Sequence, residues 1–229
     1  AHAWGQIVAP EVTVAQLEAA ENSVSASLAA DDPQRVLLLK SYADTRTALM
    51  SFEQFNEQLK SFALSRSNAQ QDAAAIEKKL AIQQNAPEHD YSVASSVTLP
   101  ELEQQMQIEE IELDAMKNQL TDIRGAIDAM PQRLTEIRAR VTELSSLLAE
   151  QEETIGVMNK KVKSGSSDEA ALWLVRAQIA SSKAEKVALE EELASQPMRL
   201  ELLKAQLDQL SYEIAEREKN SRAMALRAG

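Results

Sequence analysis

The sequence predicts an all-α fold: an elongated antiparallel helical bundle or coiled coil of three long helices plus a short N-terminal helix, with proline bends. Three observations carry that prediction. Of 229 residues 44% are apolar, yet only two Trp, three Tyr, three Phe and five Gly are present. Sandwiches, barrels and α/β folds draw on aromatic and β-branched packing and on frequent tight turns, so this composition argues against them. Apolar residues recur alternately four and three apart through most of 98–162 and again after 167, the 3.5-residue repeat of a left-handed coiled coil. Breaks between these stretches are few and short.

In chain order, residues 1–12 read as a flexible N-terminus. Ala1-His2-Ala3 has the small-x-small form found at signal-peptide cleavage sites, a hint of export. A short helix is expected over 13–30, with Val14, Leu17, Val24 and Leu28 on one face. Asp32 and Pro33 then supply an N-cap and a first helical residue for a helix over 33–84, and the two helices together form an N-terminal helical hairpin. Leu38, Tyr42, Leu49, Phe52, Leu59, Ile76 and Leu80 form its main stripe, with Phe55 and Phe62 beside it. Polar Ser65, Arg66, Ser67 and Asn68 mark a break or bend, and 85–98, with Pro87, Tyr91 and several serines, reads as a loop.

The rest, 99–229, reads as one long antiparallel helical hairpin. Thr98 and Glu101 make a capping box, and Pro100 falls in the first turn, where a missing N–H does no harm. The seam of the first arm is Leu102, Met106, Glu109, Leu113, Met116, Leu120, Ile123, Ile127, Met130, Leu134, Ile137, Val141, Leu144, Leu148, Gln151, Ile155, Met158 and Val162. Only Glu109 and Gln151 are polar, so its methionines are core filler. At 1.5 Å per residue this arm of roughly 65 residues is about 100 Å long. Residues 164–167, Ser-Gly-Ser-Ser, form the tip, flanked by Lys160, Lys161 and Lys163 before it and by Asp168 and Glu169 after it, each suiting the helix dipole it faces. The returning arm carries Leu172, Val175, Ile179, Leu189, Leu193, Leu200, Leu203, Leu207, Leu210, Ile214 and Met224 in the same register. Ser182, Lys186, Gln196, Arg217 and Ser221 interrupt it, which predicts that part of this seam faces solvent. The helical pattern continues to Met224 with no capping glycine before Gly229, as expected of a segment of a larger protein.

The two arms repeat each other. Pro131-Gln132-Arg133-Leu134, followed by Ile137-Arg138-Ala139, matches Pro197-Met198-Arg199-Leu200, followed by Leu203-Lys204-Ala205. Inside a helix a proline removes one hydrogen bond and crowds the preceding turn, at a cost of about 3 kcal/mol. The two prolines are equidistant from residue 164, so they fall side by side, and both helices are expected to bend there, at Pro131, Arg133 and Leu134 and at Pro197, Arg199 and Leu200. The plainer reading is two tolerated prolines in duplicated sequence.

Charge and residue inventory exclude several functions. Asp and Glu outnumber Lys and Arg 36 to 24, a net charge of −12 that disfavours nucleic-acid partners and anionic membrane surfaces. No cysteine is present, so neither a disulfide framework nor thiolate chemistry is available. Apolar runs are too short to cross a bilayer. No serine has a nucleophile elbow, and the glycine-rich phosphate loops are missing, so no catalytic and no cofactor-binding residue is assigned and no enzyme is expected. The trio Glu88-His89-Asp90 lacks further ligands and is read as solvated loop, so no metal site is assigned. Leu172-Trp173-Leu174-Val175 covers more than one helix face close to the tip; Trp173 packs on the end of another helix, or the four form a contact patch for a neighbouring subunit or envelope component.

Leu99-x-x-Leu102-Glu103, the long seam to Met130-Pro131-Gln132-Arg133-Leu134-x-x-Ile137, the Gly/Ser break and Ala171-x-x-x-x-Arg176-Ala177-Gln178 together resemble the extramembrane N-terminal region of large MscS-type mechanosensitive channels, of the MscK (KefA) and MscM kind, over roughly 30–227. The resemblance implies a periplasmic, all-helical module of an inner-membrane channel of Gram-negative bacteria that opens under tension and relieves hypoosmotic shock, with a structural, assembly or regulatory role. It also implies a homoheptamer with other subunits of the same channel, while the isolated segment could be monomeric. Seven copies of −12 make −84, so ionic strength is expected to modulate assembly or gating. Such regions are called porin domains, yet the alternating ten-residue strands of a membrane barrel are missing, so the pore itself lies elsewhere. The alternative reading is a periplasmic coiled-coil adaptor of a transport or cell-wall complex.

Overall fold

The computed structural model describes residues 9–87, 91, 97–160 and 167–229. Every regular element among them is a helix: α1 (Val14–Ser27), α2 (Pro33–Gln84), α3 (Leu99–Met158) and α4 (Ser167–Ala228). The tip residues 164–166, with Lys161, Val162 and Lys163, lie outside the described residues, as do Ala1-His2-Ala3 and the Glu88-His89-Asp90 trio. Ser167 belongs to α4, whose first turn carries Asp168 and Glu169.

Local chemistry sets the helix starts. Thr13 caps α1 reciprocally, its hydroxyl accepting from the Gln16 N–H at 3.3 Å while its own N–H donates to Gln16 Oε1 at 2.8 Å. α1 ends at Ser27, short of residue 30, because Leu28 turns to extended backbone at φ −118° and ψ 145°. On its apolar face Leu17 is fully buried, whereas Val14 is exposed. The Asp32 carboxylate accepts from the Gln34 N–H at 2.7 Å, and Pro33 opens α2 as expected. At α3 the Glu101 carboxylate takes both the N–H of Thr98, at 2.9 Å, and its hydroxyl, at 2.8 Å.

The 3.5-residue reading of α3 describes its burial closely. Every described seam position is buried or half-buried, Glu109 and Gln151 included, and of the other residues of α3 only Arg140 and Leu147 join them. One expectation is corrected: α2 runs without a break through Ser65, Arg66, Ser67 and Asn68, since nothing there removes a backbone donor. Of the polar interruptions of the α4 seam, Gln196 is buried, while Ser182, Lys186, Arg217 and Ser221 are half-buried and keep partial contact with solvent. α4 reads weakly because it carries a second set of buried small residues, Ala177, Ala180, Ala184 and Ala188, the first three of which pack with α2.

The helices divide into two compact units, Ala1–Leu64 with Leu134–Ala194, and Ser65–Arg133 with Ser195–Gly229. In the first, Leu17, Leu38, Tyr42, Leu49, Ala170 and Ala177 form a core covered by Val24, Leu28 and Trp173. Val12 is buried in it, so the segment expected to be free is anchored just before α1. Tyr42 meets Trp173, and Phe52 meets Ala180 and Ala184 further along both helices, so α2 and α4 run parallel here. Arg140 pairs with Glu185 and Asn159 with Arg176, so α3 runs antiparallel to α4. The second unit is built on Leu113, Ile123, Leu210 and Ile214, covered by Met116, Leu120, Ile127, Leu203 and Leu207.

Candidate functional site

Pro131 and Pro197 both belong to the second unit and lie inside unbroken α3 and α4. Arg217 reaches Glu109 and Glu112 across the two arms. Twenty residues back along α4 from Arg217 is Pro197, and twenty residues on along α3 from that glutamate pair are 129 and 132, which bracket Pro131. The antiparallel register therefore brings the two prolines level. Both are exposed, so each ring projects away from the seam. The N–H each lacks would have bonded the carbonyl of Ile127 or of Leu193. Arg133 is exposed, while Arg199 and Leu200 are half-buried; Leu134, also half-buried, falls in the first unit. Beside Pro197 the interior of α4 turns polar, with Ser195 and Gln196 both buried. A polar layer of this kind gives up hydrophobic stabilisation where a helix already lacks a backbone bond.

The other predicted set, Leu172, Trp173, Leu174 and Val175, sits in the first unit. Leu172 is buried and the other three are half-buried. Trp173 packs against the core of α1 and α2, its ring 5.9 Å from that of Tyr42 at an interplanar angle of 41°. Burial raises the Tyr42 phenol above its ordinary range, with Glu169 and Glu21 adding to the shift.

Ion pairs tie the helices across these cores. In the first unit Arg140 holds Glu185 and Glu143, Lys183 meets Glu152 at 2.8 Å, and Arg176 joins Asn159 to Glu11. In the second, Lys117 meets Glu218 at 3.0 Å and Lys79 meets Glu213 at 3.4 Å. Hydrogen bonds from Lys183 and Lys117 hold the carboxyls of Glu152 and Glu218 below the usual range. Apart from Arg176, which belongs to the motif behind the resemblance, none of these partners stands out in the sequence. Their only sequence signal is opposite charge beside the two seams, which many other pairs share.

The family comparison decides what this arrangement belongs to. The model of the mechanosensitive ion channel porin domain matches residues 16–225, from the first turn of α1 to the end of α4. This chain belongs to that family. No curated protein and no solved structure matches it. Within the porin-domain family the two proline-bearing arms, their seam and the α2 stripe all fall inside the matched region. No helix among the described residues is long and apolar enough to cross a membrane.

Proposed function

We propose that this chain is the periplasmic domain of an MscK- or MscM-like channel acting in the response to hypoosmotic shock, and that it serves as a spacer, assembly or regulatory element outside the conducting path. The observation that carries the proposal is the match to the channel's porin domain over nearly the whole helical region, 16–225. The helices themselves support a non-conducting role, because their buried faces are packed with apolar side chains instead of lining a wet lumen. Other subunits of the same channel are its partners, in a homoheptamer, with envelope components further candidates for contact. Pro131 and Pro197 impose a shared bend that both arms accommodate at one level. Seven copies of −12 place −84 charges around the axis, screened beyond about 8 to 10 Å at physiological salt, so gating shifts with ionic strength.

Deleting 16–225 from the parent channel and measuring survival after osmotic downshock, together with the tension threshold in membrane patches, tests this. A changed threshold or altered survival is expected with the pore still conducting. Unchanged survival and an unchanged threshold at both low and high salt would remove the regulatory reading. Labelling of single cysteines introduced at Asp122 and Glu150 by a membrane-impermeant reagent in intact spheroplasts is expected if the domain is periplasmic.

A further inference from the structure

The second unit turns outward two helix faces that carry exposed isoleucines. On α3, Ile108, Ile111 and Ala115 and then Asp122, Gly125 and Ala129 are exposed on the side opposite the buried seam, and they follow its four-and-three spacing. Ile108 is 49% and Ile111 69% exposed. On α2, Ala69, Ala73, Ile76 and Leu80 turn inward; Gln71, Ala75, Lys78 and Ile82 lie opposite them, with Ile82 63% exposed. Isoleucines aligned on one outward face, instead of scattered singly, mark a surface that another helix covers.

Charge selects the faces that meet. From 99 to 133, α3 carries eight acidic residues against Lys117, Arg124 and Arg133, a net of −5. From 65 to 84, α2 carries Arg66, Lys78 and Lys79 against Asp72 and Glu77, a net of +1, and its outward stripe holds Lys78 and no acid. Setting α3 against α3 of another copy would place −5 beside −5, whereas α3 against α2 places −5 beside +1. The α3 face is therefore complementary to the α2 face and not to itself, which favours a head-to-tail contact between copies over a symmetric one.

The chain also supplies the register. α2 stops at Gln84 and α3 starts at Leu99, and Gln83 and Glu109 line one cleft, so the two helices are antiparallel and these two positions are level. Copies related by rotation about an axis along the helices keep those levels. Ile82 of one copy then stands beside Ile108 of the next, Ala75 beside Ala115, and Lys78 beside Asp114. We propose that the outward face of α2 in the second unit packs on the outward face of α3 of a second copy of this chain. The contact rests on the proposed ring of like subunits and names the faces that meet in it. The strip is about 27 Å long and about 10 Å wide, or about 300 Å² per copy, against roughly 800 Å² per partner in a stable complex, so isolated chains should associate weakly.

This chain has no cysteine, so introduced thiols report alone. Oxidation of a concentrated equimolar mixture of Ala75→Cys and Ala115→Cys chains, both at exposed positions, tests the contact. The mixed disulfide dimer should exceed the half share that chance encounter gives. Lys78→Glu in the first chain should lower its yield by roughly two- to fivefold, the weight of one surface ion pair, and Asp114→Lys in the second should restore it. All four positions are exposed, and unchanged circular dichroism checks that the helices persist. The proposal is overturned by absence of cross-linking, by a chance distribution of dimers, by predominance of either homodimer, or by a mixed yield indifferent to Lys78→Glu. Any of these would leave the channel reading standing, because survival and tension threshold after deletion of 16–225 decide that reading separately.

Discussion

Arg140 grips Glu185 with two donors along one edge of its guanidinium, Nε to Oε1 at 2.7 Å and Nη2 to Oε2 at 2.9 Å. This fork joins α3 to α4, and Nη1 of the same guanidinium holds Glu143 at 2.8 Å. Lysine offers a point charge in place of the fork, so Arg140→Lys is expected to destabilise by about 0.5–1 kcal/mol. A double-mutant cycle with Glu185→Gln, read by denaturant unfolding, should return a coupling of about the same size. No coupling would reduce the pair to surface decoration.

Trp173 is expected to act as core. Trp173→Ala should cost about 2–4 kcal/mol, toward the lower part of the range for aromatic truncation because the ring is only half-buried. Sedimentation behaviour should not change. A variant with normal stability but altered association would return Leu172, Trp173, Leu174 and Val175 to the role of a contact patch.

If the prolines share a bend, they are coupled. Replacing both Pro131 and Pro197 by Ala restores two backbone donors, and the double variant is expected to gain about 1–3 kcal/mol. Each single variant should gain less than half of that, because one straightened arm no longer follows the other. Strict additivity of the two single gains would show that each proline is merely tolerated by its own helix.

Acid should weaken the arm-to-arm pairs. Glu152 and Glu218 are held below the ordinary carboxylate range by Lys183 and Lys117, so their contribution is present above the unfolded pKa of about 4.3 and is lost as pH falls through the lowered folded values. Glu152 is exposed and Glu218 half-buried, so the loss should be gradual and shrink in high salt. Thermal midpoints of Glu152→Gln and Glu218→Gln should fall less steeply below about pH 4.3 than those of the parent. Parallel curves would show that other groups govern acid sensitivity.

Two glycines inside α3 offer a control on helix propensity alone. A Cβ built on Gly125 or Gly156 meets nothing within 4 Å. Gly125→Ala and Gly156→Ala should each stabilise by about 0.5–1 kcal/mol in thermal or urea unfolding. A loss at either position would mean that the helix needs its flexibility there.

The helices of this protein are legible because their determinants are local. The Thr98 and Asp32 caps, Pro33 and the α3 seam each depend on residues a few positions apart, and there the structure follows the periodicity down to half-burial of Glu109 and Gln151. α4 was harder to read. Its second stripe is made of Ala177, Ala184 and Ala188, and alanine is equally at home on a helix surface, so nothing local marks those positions as buried. The surroundings of Gln83 and Glu109 were illegible for a further reason: Gln83 carries no signal in sequence and Glu109 is only a polar interruption of a seam, and it takes the packing of three helices to strip water from the Oε1 atom of each. Ser65 to Asn68 misled in the opposite sense, since polarity alone does not end a helix that keeps all its backbone donors.

The alanine stripe of α4 bears on how this sequence can drift. At Ala177, Ala180 and Ala184 the side chain is one carbon and α2 fills the space in front of it with larger side chains such as Tyr42 and Phe52, so a bigger residue finds its place already taken. A leucine of the α3 seam can exchange with isoleucine or methionine and let its neighbours repack. No residue except glycine is smaller than alanine, and every other replacement must displace a packed side chain of α2. In a saturation library the small residues of α4 should therefore be the least forgiving positions in the chain, although hydropathy alone would rank them among the most dispensable.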